Sequence, residues 1–410
     1  MRRLSFAAIL FLFFWMFSCG GNKTVKKDDK KLSDRQEINK KEDNTVQEEK
    51  ENIPQSNTEN KEEIIKEFNT LMAKYKLNEK EGNIMFADYI EALDEISEDY
   101  KNFPEIGFNK GVFYTKISKF KEAYKYLMMT YKKSHYIPAL INLSYLAYKL
   151  NRISELLPYL KNAASLKKID KDLKEKLLVN YSFLLIMEKK YDEAIKVIRE
   201  VLAFKPRSIA AYKNLGIMYT NSKKFSIAQK VIDLSISYTK DKKEQAELYV
   251  IKARYYKAKF ESVNMIAAYK KAISLDSSNI DANYALALLY IKYGAGDKSV
   301  IYLKTLVANY PDNLLFRNLY GIALRMAGKY EKAYEAYSDL IKMEPSYKDA
   351  YYNRGLLLQK YMEKPAEAIK DYEKYRSLGG KKDIKARIKI CKQMIKDIEM
   401  MKKEEQESGE

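Results

Sequence analysis

The residue types that most often carry catalysis or metal binding are scarce in this chain. It contains a single histidine, His135, which stands beside Tyr136 and close to Pro138 in a stretch predicted to connect two helical hairpins. A lone histidine cannot build a His-based metal site, nor a Ser-His-Asp relay with recognisable spacing. We therefore predict that His135 is a surface loop residue and that the chain has no metal site.

A second candidate is the glycine-containing run GAGDKS, from Gly294 to Ser299. It is superficially similar to a phosphate-binding loop, but the first glycine of that pattern is absent and no strand precedes the run. The run falls where two paired helices must be joined. We expect Gly294 and Gly296 to be turn residues.

Paired carboxylates offer no better candidate for catalysis. Glu331 and Glu335 are spaced to lie on one exposed face of a helix, where charges are solvated rather than sharing a proton. Nearly all of the part of the chain that is predicted to fold consists of helical hairpins, which leaves no room for a separate catalytic domain. The sequence predicts no catalytic residue and no cofactor, and the chain is not expected to be an enzyme.

The start of the chain is a targeting segment. A positive start is followed by an apolar run from Leu4 to Phe17, too short to span a bilayer, and then by Ser18 and Cys19. A small residue before a cysteine resembles a bacterial lipoprotein signal, although Met16 and Phe17 replace the usual leucine and small residue. The resemblance implies a signal peptide over 1–18, acylation of Cys19, and a lipid-anchored protein of the bacterial envelope whose folded part lies outside the cytoplasm. An ordinary cleaved signal and an uncleaved anchor are the alternatives.

A polar stretch follows the signal. Between Gly20 and Asn60 there are 9 Lys or Arg and 10 Asp or Glu, with only isolated apolar residues. Such a composition buries too little apolar surface to offset the entropy of ordering. We predict a disordered tether over 19–60.

The remainder of the chain repeats a helical hairpin, clearest between Leu314 and Pro345. Small residues, with one exception at Ile251, mark its first helix at intervals of 33 to 38 residues: Gly111, Ser144, Ser182, Gly216, Ile251, Ala287, Gly321 and Gly355. An apolar, mostly aromatic residue follows nine positions later at Phe120, Ile153, Tyr191, Phe225, Phe260 and Tyr330, and alanine follows twelve positions later at Ala123, Ala194, Ala228 and Ala333. This period is typical of helical solenoids.

These joint recurrences resemble the tetratricopeptide repeat (TPR) family. The resemblance implies an all-α fold, a TPR superhelical solenoid of antiparallel helix pairs, with about eight repeats over 103–378. Residues 61–102 are predicted to be a degenerate N-terminal repeat that caps the array. Residues 379–410 are predicted to be a capping helix and tail, with Cys391 on the buried side. The alternative for that basic amphipathic helix is a membrane surface.

Asparagine recurs two residues before the marker, at Asn109, Asn142, Asn180, Asn214 and Asn353. In TPR proteins the first helices line a concave groove, so the resemblance implies a ladder of amides there, similar to the ladders of O-GlcNAc transferase and of armadillo-repeat transport receptors. An amide both donates and accepts, which suits a peptide main chain. The alternative is that asparagine is merely common at this place in the family and in this chain.

Positive charge suggests what kind of partner binds. The net charge is +19 for the whole chain, and lysines and arginines are predicted to line the groove at Lys213, Lys252, Arg254, Arg317 and Arg354. A basic groove favours an acidic peptide. We predict a non-enzymatic, membrane-anchored scaffold that binds a protein or peptide partner. The alternative is a binder of an anionic envelope polymer or a membrane surface, and no nucleic acid is expected. A plain solvated, lysine-rich surface also accounts for much of the charge.

Overall fold

The computed structural model describes residues 56–81 and 86–408, all of whose regular elements are α-helices. The all-α prediction is confirmed. The predicted signal peptide, Cys19 and the tether up to residue 55 lie outside the described residues. The first helix begins at Ser56, inside the stretch predicted as tether.

Nineteen helices are described. They are α1 (Ser56–Glu81), α2 (Phe86–Ile96), α3 (Pro104–Lys116), α4 (Phe120–Ser134), α5 (Ile137–Lys149), α6 (Ile153–Ala164), α7 (Lys171–Met187), α8 (Tyr191–Phe204), α9 (Ile209–Asn221), α10 (Phe225–Tyr238), α11 (Lys242–Ala258), α12 (Ser262–Leu275), α13 (Ile280–Lys292), α14 (Gly296–Asn309), α15 (Leu314–Met326), α16 (Tyr330–Met343), α17 (Lys348–Lys360), α18 (Pro365–Ser377) and α19 (Lys385–Ser408). They form two compact units, the first ending at Met218 and the second beginning at Tyr219, both within α9. None of the described helices is long and apolar enough to cross a membrane.

The same backbone motif ends the first helix of each pair from α3 to α16. One residue takes a left-handed conformation, and the next N–H donates to the carbonyl five residues earlier, as in Lys119 to Tyr114 and Ala295 to Tyr290, both 2.9 Å. The left-handed residue comes seven positions after the small marker: Ser118, Asn151, Lys189, Lys223, Phe260, Gly294 and Gly328. In the last pair the left-handed residue is Glu363, eight positions after the marker, as expected for one extra residue.

This spacing corrects the predicted phase of the fifth pair. Counting back seven residues from Phe260 gives Ala253, not Ile251, as the small marker, and the next marker follows 34 residues later at Ala287. Ala253 is fully buried against Ala268 and Tyr269 of α12. Phe260 therefore does not fill the aromatic packing position but stands at the tip of the turn. The extra residues of this repeat precede the marker, in the long helix α11.

Close packing of the paired helices explains the glycine markers. A Cβ on Gly321 would lie 2.5 Å from the ring of the fully buried Tyr337, and one on Gly111 would lie 2.5 Å from Leu127. Gly294 has the positive φ of a turn residue. Gly296 differs from the prediction, because it is the first residue of α14 and packs on the backbone of Met326 and Ala327.

Helices at both ends of the described chain pack against the neighbouring repeats. In the first unit, Tyr75 of α1 and Tyr89 of α2 meet Phe113 of α3 with ring centroids 5.0 and 5.8 Å apart. In the second unit, Ile384 and the fully buried Cys391 join the core that contains Tyr372 and Tyr375 of α18. These contacts cover apolar side chains that a terminal repeat would otherwise expose.

Candidate functional site

All five predicted ladder amides are buried in the structure. They lie on first helices of the repeats: α3, α5, α7 and α9 in the first unit and α17 in the second. Their regular spacing along the sequence therefore does correspond to one repeated structural position. The question is what their donors and acceptors contact there.

In the first unit two of these amides form hydrogen bonds between neighbouring repeats. Asn180 Nδ2 donates to the carbonyl of Ile141 at 3.2 Å, and Asn214 Nδ2 donates to the carbonyl of Val179 at 2.8 Å and to Ser182 Oγ at 2.9 Å. Each accepting carbonyl belongs to the residue just before the preceding ladder position. The amides thus satisfy backbone groups between successive first helices, which stabilises the stacking of the repeats.

The other amides are used differently. Asn109 Nδ2 donates within its own helix to Glu105 at 2.8 Å, and Asn353 Nδ2 donates to Asn318 Oδ1 at 2.8 Å. Asn318 is a ladder partner that sequence reasoning missed, because it stands one residue before the expected position at Leu319. Four of the five amide nitrogens are engaged within the protein, and peptide binding by the ladder stays a prediction.

Removing one amide is expected to destabilise the first unit. The substitution Asn214→Ala would leave the Val179 carbonyl and the Ser182 hydroxyl without this donor in a buried place, at a cost of about 1–3 kcal/mol. Chemical denaturation followed by circular dichroism would measure it. Asn109→Ala is the matched control, since its amide bonds only within its own helix. Equal costs for the two variants would contradict an inter-repeat role for Asn214.

The predicted groove cations are largely committed to contacts within the protein. Arg354 forms two bonds to Asp371, at 2.8 and 2.7 Å, and Lys252 pairs with Asp233 at 2.7 Å. Arg317, half-buried, donates to the Pro311 carbonyl, and Lys213 is buried. Asn353 and Arg354 are neighbours in the sequence of α17, but Asn353 bonds to Asn318 whereas Arg354 bonds to Asp371. A basic groove for an acidic peptide gains little support from this arrangement.

The remaining predicted groove cation, Arg254, forms an ion pair with a buried carboxylate. Arg254 of α11 donates to Asp281 Oδ2 of α13 at 2.9 Å, while Asp281 Oδ1 has no hydrogen-bond partner among the described residues. Burial raises the pKa of Asp281 to about 7; the charge of Arg254 lowers it and that of Glu247 raises it further. Removal from water outweighs the attraction of the paired guanidinium at this site.

This carboxyl gives the stability of the second unit a pH dependence. An unfolded aspartate releases its proton near pH 4, whereas folded Asp281 holds it up to about pH 7. The unfolded state therefore binds fewer protons between these values, and stability falls as pH rises, by up to about 1.4 kcal/mol per pH unit. Denaturation of the wild type and of Asp281→Asn at pH values through this window tests it. The asparagine variant should flatten the slope, and an unchanged slope would contradict the assignment.

The face of the first helices that sequence reasoning missed is apolar. Leu288, Ile322 and Leu356 follow the small marker directly in three successive repeats of the second unit, and all three are partly exposed. Leu319 and Leu315 lie on the same side of α15, and Leu315 is 46% exposed. We call these five residues the first-helix face. The signal was present in the sequence as an apolar residue directly after the marker in three successive repeats.

The other candidates for chemistry form no site. His135 has a left-handed conformation and caps the end of α4, exposed as predicted. Within the described residues no three histidine, cysteine or carboxylate side chains are grouped as metal ligands.

Family comparisons agree with the repeated helix pairs. Tetratricopeptide repeat models match residues 246–279 and 318–380. No curated protein matches the chain significantly.

Solved structures similar to this chain include three proteins described as tetratricopeptide repeat proteins. The C-terminal part of a TPR repeat-containing protein from Cytophaga hutchinsonii is 20% identical with a TM-score of 0.40, over 49% of this chain and 78% of that one. A tetratricopeptide repeat protein from Parabacteroides merdae is 19% identical with a TM-score of 0.34, over 62% and 98%. YrrB, described as a TPR protein with an unusual peptide-binding site, is 17% identical with a TM-score of 0.39, over 48% and 97%.

Repeats of this kind generally scaffold protein interactions and are generally not enzymes. The recurring marker, the left-handed turn residue seven positions later and the two matched segments all occur together in this chain. On these grounds the chain is a tetratricopeptide repeat protein.

Proposed function

We propose that this protein is a non-enzymatic scaffold that binds a protein or peptide partner on the first-helix face of its second unit. The observation that carries the proposal is the apolar series Leu288, Ile322 and Leu356, which remains partly exposed at one repeated position. Partly exposed apolar side chains that recur at one repeat interval form an extended surface, and repeat proteins use such surfaces for binding.

The chemistry of this face favours an apolar segment over a purely acidic one. Leucine and isoleucine side chains on successive helices suit the apolar stripe of an amphipathic helix, whose contacts recur every three or four residues. One nearby arginine, Arg354, is already paired with Asp371, so its charge is largely neutralised.

A charge placed on the face tests the proposal. Leu315→Glu should reduce crosslinked capture of the partner in intact cells by about tenfold or more, because a carboxylate would be desolvated in the contact. Ile301→Glu is the matched control: Ile301 is 64% exposed on α14, the second helix of its pair. Circular dichroism would establish that both variants fold. Equal capture by both variants would overturn the proposed site.

We further propose that acylated Cys19 anchors the protein in a bacterial envelope, with the folded part outside the cytoplasm. The support is the sequence alone: a positive start, an apolar run and a small residue before the cysteine. Cells grown with a clickable fatty acid should label the wild type, and Cys19→Ser should lose both the label and stable membrane retention. A membrane-bound Cys19→Ser protein without label would identify an uncleaved anchor instead.

A further inference from the structure

The two edges of the second unit differ in charge. Antiparallel pairing puts the turns within repeats on one edge and the connections between repeats on the other. Counted with three helix residues on each side, the four turns from α11 to α18 carry nine basic and five acidic residues, whereas the four connections from α10 to α17 carry five basic and seven acidic residues. The turn edge is therefore the one that favours an anionic partner.

The most exposed large apolar side chains lie on that same edge. Phe260 is 92% exposed, Val263 is 81% exposed and Tyr293 is 65% exposed, and they belong to the turns of two successive repeats. Phe260 also has a left-handed backbone (φ 63°), a conformation that disfavours a bulky side chain and is taken by glycine in the next two repeats. Nothing in the packing of the unit explains an aromatic residue there.

Lysines surround these apolar tips. Lys257 and Lys292 lie in the last turns of the helices that lead into the two turns, and Lys298 follows in the first turn of α14. Lys259 is paired with Glu261 at 2.5 Å, so its charge is partly offset. Aromatic tips flanked by lysines match the composition of protein surfaces that meet the headgroup region of a bilayer.

We propose that this turn edge docks on an anionic lipid surface, with Phe260 and Val263 inserted among the acyl chains and Lys257, Lys292 and Lys298 against the phosphates. Isolated tips on convex turns form no groove that would hold a peptide. A fluid bilayer accepts protruding apolar side chains at any spacing. Binding to a soluble polyanion would use the lysines but leave the tips in water.

A single reporter tryptophan tests the insertion in the full chain. The only tryptophan is Trp15, so Trp15→Phe provides a silent background. Phe260→Trp in that background, reconstituted with vesicles of phosphatidylglycerol and phosphatidylcholine, should show blue-shifted emission that brominated acyl chains quench. Met343→Trp is the control, since Met343 is exposed at the opposite edge, where α16 ends. Attachment through the N-terminal segment affects both reporters equally.

Charge variants complete the test. Changing Lys257, Lys292 and Lys298 to Gln should weaken insertion of the Phe260→Trp reporter by about fivefold for each lysine removed, and vesicles of phosphatidylcholine alone should give little quenching. Equal quenching of the two reporters would overturn the proposal. So would a Phe260→Trp signal that responds to dextran sulfate but never to brominated lipid, because the edge would then bind a soluble polyanion.

Discussion

Replacing Gly296 by alanine is expected to lower the free energy of unfolding by about 2–3 kcal/mol, a large effect for one methyl group. A Cβ at this position would lie 2.5 Å from the carbonyl carbon of Met326 and 2.8 Å from the oxygen of Ala323, and it would also meet the backbone nitrogen of Ala327. Backbone atoms of the next repeat cannot rotate away as a side chain can. The two repeats would have to separate, which removes packing on both sides.

Gly294→Ala is the matched control for this prediction. Gly294 has a φ of +73° and nothing within 4 Å of an added Cβ, so its substitution costs only the left-handed conformation, about 1 kcal/mol. Urea denaturation of both variants, followed by circular dichroism, separates the two causes. If Gly296→Ala costs no more than Gly294→Ala, the close approach of α14 to the following turn is not what selects glycine.

The fold was predictable from the sequence because each repeat has similar residue types at the same intervals. A small residue, an aromatic residue nine positions later and an alanine three after that recur often enough to outweigh any single departure. The fifth repeat is the exception. Phe260 lies nine positions after Ile251, which is the interval of the aromatic residue that packs between paired helices. Its left-handed backbone instead shows that the small marker of this repeat is Ala253, seven positions earlier. The residue type does not reveal this left-handed conformation, because lysine, serine and phenylalanine all occur at the position that adopts it.

The candidate site was less predictable, since the sequence places a side chain on a helix but not its partner. The ladder position was regular, but the burial of Asn180 and Asn214 depends on how closely the next first helix stacks. Asn318 stands one residue before the expected ladder position, yet its amide still accepts a hydrogen bond from Asn353. Charges behaved in the same way: the pairing of Arg254 with Asp281 joins residues 27 positions apart. Such pairs follow from tertiary geometry alone.

Arg354→Ala is expected to cost about 3–5 kcal/mol of stability and so to act on folding before it acts on any partner. The guanidinium makes two parallel bonds to Asp371 and a third to Ser338 Oγ at 3.0 Å, and the side chain of Asp371 is only 7% exposed. The hydrogen bonds to Asp371 raise the pKa of Arg354, as expected for a charge that its partner stabilises. Removing the arginine leaves a buried carboxylate without its counter-charge. Urea denaturation measures the loss.

Two further variants distinguish a structural role of Arg354 from the role in partner binding that the sequence suggested. Arg317→Ala, which removes an arginine about one helical turn earlier in the preceding repeat, should cost less than about 1 kcal/mol, because that side chain bonds only one backbone carbonyl at the surface. The double variant Arg354→Met with Asp371→Leu should recover most of the stability lost in Arg354→Ala, since an apolar pair of similar volume avoids the desolvation of two charges. An Arg354→Ala protein with unchanged stability that fails to capture its partner would instead establish Arg354 as a binding residue, and the bidentate pair would then be a contact that the chain can lose without cost.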